Sequence, residues 1–368
     1  MPIGLLALAT FQGPQEAEDS FFDWLDGARD EIAAGVEIPG VEFVYTVIRP
    51  PTLSARELQW MRERVENRPD DPELAVLRRE EMRHRDGAEI SERRFWYVSP
   101  RKWRLSADLT NNQYGIGRFD YGSDGEWWWE LAEDFVARNS QELESGDRFA
   151  SEEWGRVFTE RVYGWLSQTD LPIREVEFDV VSDEDFERVH VTYTPRPGVE
   201  INEGFVFDPD YGTWRPEWVE FTRFPDGGDR EGARRLFSDA EWDQVLGRNI
   251  ARVVQEVHAA GQIVEETVYL DAKEHPASEI ASLSSAPRAG SIDPLRGEIV
   301  VESDIAITPA GRRERSFDRV GQLISDISLA EDGRPRSGYM AALQTVAIVV
   351  LVGSGAYALW TRFRKGSP

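Results

Sequence analysis

The chain has 368 residues, of which 40% are hydrophobic, and a formal net charge of −26 at pH 7. This length can bury one large core or two ordinary ones, and the acidic excess argues against a nucleic-acid partner, because binding phosphates requires Lys and Arg. The chain has no cysteine, which excludes disulfides, a thiol nucleophile and cysteine-based metal sites.

The first residues contain a short apolar run in which Ala7-Leu8-Ala9 resembles a signal-peptide cleavage site. A basic n-region is missing, which suggests that residues 1–18 are the remnant of a signal peptide and a flexible start. The alternative is a tail-anchored protein that faces the cytoplasm. We expect export.

The next segments predict a helix, a strand and a helical hairpin. Residues 19–34 place apolar side chains at helical spacing. Residues 41–48 are rich in β-branched and aromatic residues and predict a strand. Residues 53–85 are charged and helical, with Pro69 and Pro72 dividing them, and predict an inserted helical hairpin.

Strand pairs and two further helices follow. Asp124-Gly125 is a candidate type I′ hairpin turn, and Ser238 with Glu241 forms a capping-box pattern that predicts a helix over 239–246. Residues 275–294 are rich in Ser, Ala, Pro and Gly and predict a loop. The expected strands are 94–98, 102–109, 117–120, 126–131, 175–181, 189–194, 204–207, 218–224, 262–270, 298–307 and 323–329, and the second helix is 149–166.

Residues 337–361 carry no charge. The twenty residues 341–360, of which only Gln344, Thr345 and Ser354 are polar, would form a helix of about 30 Å, the thickness of the hydrocarbon core of a bilayer. Residues 337–362 are therefore predicted to be a single transmembrane anchor, followed by a short basic tail at 363–368. The basic residues after this stretch favour a cytoplasmic C-terminus, with the bulk of the chain periplasmic or extracellular. The residues assigned to the anchor are Ala341, Leu343, Val346, Ile348, Val350, Leu351, Trp360, Arg362, Arg364 and Lys365.

The central aromatic segments resemble the family of periplasmic lipoprotein carriers. In that family an aromatic strand leads through a proline turn into a second strand, and a D-G turn then introduces another aromatic strand; here the matching residues are Trp96, Pro100, Trp103, Asp124, Gly125, Trp128 and Trp129. The resemblance covers residues 19–135, and strand order extends it to about 270. It departs from the family at Ser99, where the carriers have arginine, and in the inserted hairpin.

This resemblance implies a fold and a class of ligand. The expected fold class is α+β: a curved, half-open antiparallel sheet (an unclosed barrel) with packed helices, plus the one C-terminal transmembrane helix. The expected domain is 19–274, followed by a loop or linker with extra strands at 275–336. The family's apolar concave face implies a site for an acyl chain, a lipid, a lipoprotein or a hydrophobic peptide.

The tryptophans are the candidate ligand-binding residues. Strand alternation places Trp127 and Trp129 on one face and Trp128 on the other. Together with Trp96 and Trp103 they either fill the core or line a cavity, and the sequence leaves both interpretations open.

Catalytic patterns are missing from the sequence. The four histidines have no metal-ligand spacing, and we expect no cofactor, no metal and no enzyme activity. The first hypothesis is a membrane-anchored envelope protein that binds an apolar ligand or a partner protein. Two alternatives remain: a sensory subunit acting through a membrane partner, and a hydrolase that uses acidic residues.

Overall fold

The structure, a computed structural model, describes residues 14–33, 40–65, 68, 71, 73–111, 117–172, 175–182, 187–223, 232–258 and 261–329. Its helices are α1 (Pro14–Ala33), α2 (Ala55–Val65), α3 (Glu73–Asp86), α4 (Leu143–Trp154), α5 (Glu160–Tyr163) and α6 (Ala277–Leu283). A π-helical turn, Gly155–Thr159, joins α4 to α5, and a 3-10 turn follows at Leu166–Gln168.

Eighteen strands are described. They are β1 (Val41–Arg49), β2 (Glu89–Ser99), β3 (Lys102–Thr110), β4 (Arg118–Ser123), β5 (Trp128–Leu131), β6 (Phe135–Asn139), β7 (Glu177–Ser182), β8 (Glu187–Arg196), β9 (Val199–Asp208), β10 (Thr213–Arg223), β11 (Arg234–Asp243), β12 (Arg248–Val257), β13 (Ile263–Glu274), β14 (Ile292–Asp293), β15 (Gly297–Glu298), β16 (Ser303–Thr308), β17 (Gly311–Phe317) and β18 (Leu323–Leu329).

Sixteen of these strands form one curved, unclosed sheet, which runs from β18 at one edge to β7 at the other. The centre of the sheet is the pairing of β1 with β2 on one side and with β13 on the other. Neighbouring strands are antiparallel, except that β16 lies parallel to β6. The strands of residues 303–329 therefore extend the same sheet as those of residues 41–274.

Over strands β2 to β6 both faces of the sheet are covered. The inner face, which carries Phe43, Phe95 and Trp103, packs against the helical segment 143–163, and farther along the same sheet α1 packs on β7, β8 and β10. The outer face, which carries Trp96 and Trp129, is covered by α6 and the chain that follows it up to residue 301. Because both faces of the central strands are buried, these strands carry large apolar side chains in both directions.

The predicted fold class was wrong. The described residues form one large β-sheet with a few helices, rather than an α+β fold ending in a membrane helix. None of the described helices is both long and apolar enough to cross a bilayer; the longest, α1, carries acidic residues along its exposed face. The predicted anchor, residues 337–362 including Ala341, Trp360 and Arg362, lies outside the described residues.

Two local predictions were also wrong. Residues 239–246 were predicted to be helical, but residues up to Asp243 belong to β11, which pairs with β12 along its length. The capping-box pattern is local, and pairing within the sheet overrides it. The Asp124-Gly125 turn is not type I′, because that turn requires positive φ at both central residues. Among the described residues other than glycine, only Asn111 and Asp239 have positive φ, so Asp124 does not.

A glycine on the outer face makes room for a buried tryptophan. Gly122 of β4 is paired with Arg104 on one side and Trp129 on the other, and the indole of Trp129 lies flat across it. A Cβ at position 122 would be 2.2 Å from Cζ2 of Trp129. The guanidinium of Arg104 lies 5.3 Å from the centre of the Trp129 ring, so the arginine meets the indole above the glycine.

Gly122→Ala should therefore destabilise the protein by about 1–3 kcal/mol, because the fully buried indole cannot move aside without strain. Urea unfolding monitored by tryptophan fluorescence measures the change. Gly27→Ala is the matched control: Gly27 is an exposed helical residue with nothing within 4 Å of the added Cβ, and its replacement should stabilise the protein by roughly 0.5–1 kcal/mol. Equal effects of the two substitutions would contradict the close packing at Gly122.

Candidate functional site

The five predicted tryptophans are divided between the two faces of the sheet. Trp103 and Trp128 lie on the inner face, in the core beneath residues 143–163. Trp96 and Trp129 lie on the outer face, and the indole of Trp129 donates to the backbone oxygen of Ser284 at 2.9 Å. Trp127 is half-buried, with the Arg138 guanidinium 5.6 Å from its ring centre. The structure thus brings them into no single site, and a ligand-binding role for them stays a prediction.

The inner face carries an aromatic cluster that sequence reasoning identified only in part. Tyr97 stacks on Trp154 with ring centres 4.3 Å apart, and Trp103 stacks on Phe149 at 5.2 Å. In each pair one ring comes from the sheet and the other from α4. We call these rings, together with Phe43, Phe95, Tyr121 and Phe158, the inner aromatic cluster. The part of the cluster that the sequence indicated is the helix predicted at 149–166, in which Trp154, Val157 and Phe158 stand at helical spacing.

The cluster is buried at its centre and partly open at its rim. Phe43, Phe95 and Trp103 are fully buried, whereas Tyr97, Tyr121, Phe149 and Trp154 are only half-buried. The half-buried rings follow the line along which α4 meets the strands. A partly exposed aromatic rim of this kind offers an apolar molecule a contact surface without prior unfolding.

Two indole N–H groups inside this region lack partners. Nε1 of Trp103 and Nε1 of Trp128 are buried and make no hydrogen bond with any described residue. Leaving such a donor unsatisfied costs about 1–3 kcal/mol. The interior beneath α4 therefore retains two donors that a polar group of a bound molecule could use.

The helical segment 143–163, hereafter the lid helix, is fixed differently at its two ends. Near the π-helical turn the buried carboxylate of Glu153 accepts hydrogen bonds from Tyr45 and, at 3.0 Å, from Nη1 of Arg93. Arg156 reaches Glu265 at 3.3 Å. Burial alone would raise the pKa of Glu153, but Arg93 and Arg156 outweigh it and lower that pKa, so the carboxylate stays ionised and paired.

The first half of the lid helix has no comparable attachment. Among the described residues, its polar side-chain link to the sheet is the ion pair of Asp147 with Arg101 at 3.3 Å, and Arg101 is exposed. Glu142, at the start of α4, makes no capping hydrogen bond. Exposed ion pairs contribute little, so apolar contacts hold this half. The polar attachments of the lid helix itself are therefore concentrated at the π-helical turn, and just before α4 the side chains of Ser140 and Gln141 bond to the backbone of β16.

Within the described ranges, no group of three or more His, Asp and Glu side chains is arranged to hold a metal ion. The buried carboxylates have structural partners: Asp120 and Asp293 pair with Arg104, and Glu203 accepts hydrogen bonds from two backbone N–H groups.

No protein-family model and no curated protein matches this chain. Two solved structures are similar to it in fold. A domain described as an outer membrane lipoprotein-sorting protein, from Vibrio parahaemolyticus, is 12% identical with a TM-score of 0.32, covering 68% of this chain and 92% of its own. A DUF1329 family protein from Desulfovibrio piger is 8% identical with a TM-score of 0.33, covering 69% and 93%. The printed description of the first names the family that the central motifs resemble. At such low identity and TM-score the likeness assigns no role and no ligand to this chain.

Proposed function

We propose that this chain is a binding protein of the cell envelope that accepts an apolar chain, such as the acyl group of a lipid or lipoprotein, between the inner face of the sheet and the lid helix. The observation that carries this proposal is the inner aromatic cluster beneath a helix whose own polar attachments are concentrated at one end. The role is binding rather than catalysis. The envelope location rests on the apolar start of the sequence and on the resemblance of its central motifs to the periplasmic carriers.

Binding would proceed by exchange of apolar contacts. As the beginning of the lid helix moves away from the sheet, Phe149 leaves Trp103 and an acyl chain takes its place. The apolar area lost by the protein is then recovered against the ligand, at roughly 25 cal/mol per Å². The ion pairs at Glu153 and Arg156 keep the other end of the helix in register, so the opened state remains folded.

Phe149→Glu should weaken the binding of a fluorescent palmitoyl probe to the full chain by at least about tenfold, because it places a charge where the apolar chain enters. Fluorescence titration gives the affinity, and thermal unfolding shows whether the variant is folded. Trp60→Glu is the matched control: Trp60 is 58% exposed on α2, away from the lid helix. Failure of the unmodified chain to bind the probe, or an equal loss in the Trp60 variant, would rule the proposal out.

A further inference from the structure

A groove lined by arginines lies on the outer face of the sheet, near the edge formed by β18. It has a volume of about 370 Å³ and is bordered by β6, β16 and the hairpin of β16 with β17. Its floor is made of small side chains, among them Ala306, Thr308 and Ser328. Because these residues are small, the arginines around them enclose open space instead of packing against a core.

Strand register places the arginines around this space. Arg313 is paired with Ala306, and Arg315 with Asp304, across β16 and β17. Arg138 lies opposite Ala306 on the other side, in the parallel pairing of β6 with β16. Alternate residues of a strand share a face, so all three guanidinium groups reach the same side of the sheet. Arg288, from the segment covering the outer face, and Arg312 also line the groove.

The carboxylates near the groove do not balance these charges. Asp304 pairs with Arg138 at 2.7 Å, Asp326 pairs with Arg313 at 2.6 Å and with Arg315 at 3.4 Å, and Glu314 pairs with Arg312 at 3.0 Å. Five arginines therefore meet three carboxylates, which leaves two positive charges in excess. Arg288 is exposed and has no ion pair with any residue that the structure describes.

Some hydrogen-bond donors in the groove also lack an acceptor. Arg138 is 7% exposed, yet its Nε makes no hydrogen bond within the described part of the chain. Nε of Arg312 is buried and also makes no hydrogen bond with a described residue, whereas Nε of Arg315 makes no such hydrogen bond but lies 3.4 Å from a carboxylate oxygen of Asp326. A buried charged donor without an acceptor is costly, and a bound anion would supply the acceptor that these groups lack.

We propose that this groove, hereafter the arginine groove, binds an organic phosphate. Guanidinium groups bind phosphate oxygens in a bidentate manner, and an excess of two positive charges suits a phosphate monoester. The groove is larger than a phosphate group alone needs, and Trp127 at its side and Ala306 in its floor offer contacts to the organic part. In a chain with a net charge of −26, this local excess of positive charge raises the concentration of anions at the groove.

The arginine groove is separate from the region under the lid helix, because the two lie on opposite faces of the sheet. The phosphate group could belong to a soluble ester or to a lipid headgroup at a membrane surface. Both sources present the same chemistry to the arginines, and a titration with each distinguishes them. The inference therefore stands or falls independently of the proposed binding of an apolar chain.

The test compares two probes on the full chain. Calorimetric titration with glycerol 3-phosphate, with glycerol as the neutral control, measures binding of a soluble ester. Co-sedimentation with phosphatidylcholine vesicles, with and without phosphatidic acid, measures binding of a headgroup. We expect phosphate-dependent binding that the double variant Arg288→Gln, Arg315→Gln weakens by at least about tenfold. Binding of glycerol 3-phosphate indicates a soluble ester; binding only to vesicles that contain phosphatidic acid indicates a headgroup.

Arg85→Gln is the matched control, since Arg85 is an exposed arginine of α3 whose side chain is 74% accessible and paired with Asp86. Its affinity for the probes should change by less than about twofold. Arg288 and Arg315 are exposed and half-buried respectively, so their replacement leaves the core intact, and thermal unfolding verifies this. The proposal is overturned if neither probe binds, or if the control weakens binding as much as the double variant does.

Discussion

Arg104→Met is expected to destabilise the protein by about 3–5 kcal/mol, the cost of removing one partner from a buried ion pair. Arg104 is fully buried and contacts Asp293 at 2.7 Å and Asp120 at 3.3 Å. It also donates to the backbone oxygen of Leu283 at 3.1 Å. Methionine fills a similar volume but supplies neither charge nor donors, so both carboxylates lose a buried partner. Chemical denaturation of the variant measures the loss.

The same substitution should also loosen the cover of the outer face. Asp293 lies in the segment that follows α6, whereas Arg104 and Asp120 belong to neighbouring strands of the sheet. Arg296, from the same segment, contacts Asp120 at 2.5 Å, so two arginines and two aspartates fasten this segment to the sheet. In the Arg104 variant we expect limited proteolysis to cut between residues 284 and 301 before the rest of the chain.

A double-mutant cycle separates the ion pair from simple packing. Removing both partners of a buried pair costs less than removing one, so Arg104→Met combined with Asp293→Leu should lose less stability than the two single changes predict together. Arg148→Met, at an exposed ion pair, serves as the control and should stay within about 0.5 kcal/mol of the unmodified protein. A loss below roughly 1 kcal/mol in Arg104→Met would contradict the buried arrangement.

The ion pairs that join this segment to the sheet could not have been predicted from the sequence. Arg104 appears there as one of several basic residues after the proline turn, and its partner Asp293 is 189 positions away, inside a segment predicted to be a loop. That segment contains α6, with Ile280 and Leu283 buried. Local composition rich in Ser, Ala and Pro indicates a turn-forming chain, but it carries no information about which distant face the chain will cover.

Periodicity within single elements was more informative. The strand at 41–48 was predicted from its β-branched and aromatic residues, the alternation of Trp127, Trp128 and Trp129 from the side-chain period of two, and the helix at 149–166 from helical spacing. Each of these features depends on residues that are neighbours in the chain. The inner aromatic cluster and the arginine groove depend on register between distant strands, including the parallel pairing of β6 with β16, and no pattern along the chain specifies that pairing.

Stability is expected to fall as the pH rises from about 5 to 7, and Glu203 of β9 is a principal cause. This carboxylate is fully buried and accepts hydrogen bonds from the N–H groups of Trp165 at 2.7 Å and Leu166 at 2.9 Å, and from the hydroxyl of Tyr193 at 3.0 Å. Burial outweighs these hydrogen bonds and raises the pKa of Glu203 from 4.5 to about 7. The folded protein therefore holds a proton that the unfolded chain releases.

The sign follows from proton linkage. Between the unfolded and folded pKa values the native state binds more protons than the unfolded state, so the free energy of unfolding decreases as the pH increases. The stabilisation is fully present below the unfolded pKa of 4.5 and is lost as the pH passes through the folded value of about 7. One pKa unit corresponds to about 1.4 kcal/mol, and the whole interval to roughly 3 kcal/mol.

Glu203→Gln removes this titration while keeping an acceptor for the backbone N–H groups. Its free energy of unfolding, measured by urea denaturation at several pH values, should fall less steeply between pH 5 and 7 than that of the unmodified protein. Burial, followed by the charge of Glu142, also raises the pKa of Glu130 to about 7, so some decrease should persist in the variant. Glu200→Gln changes an exposed carboxylate of the same strand and should leave the slope unaltered. Since the two glutamates differ in burial and not in chemistry, an unchanged slope in the Glu203 variant would mean that this carboxylate is ionised in the folded core.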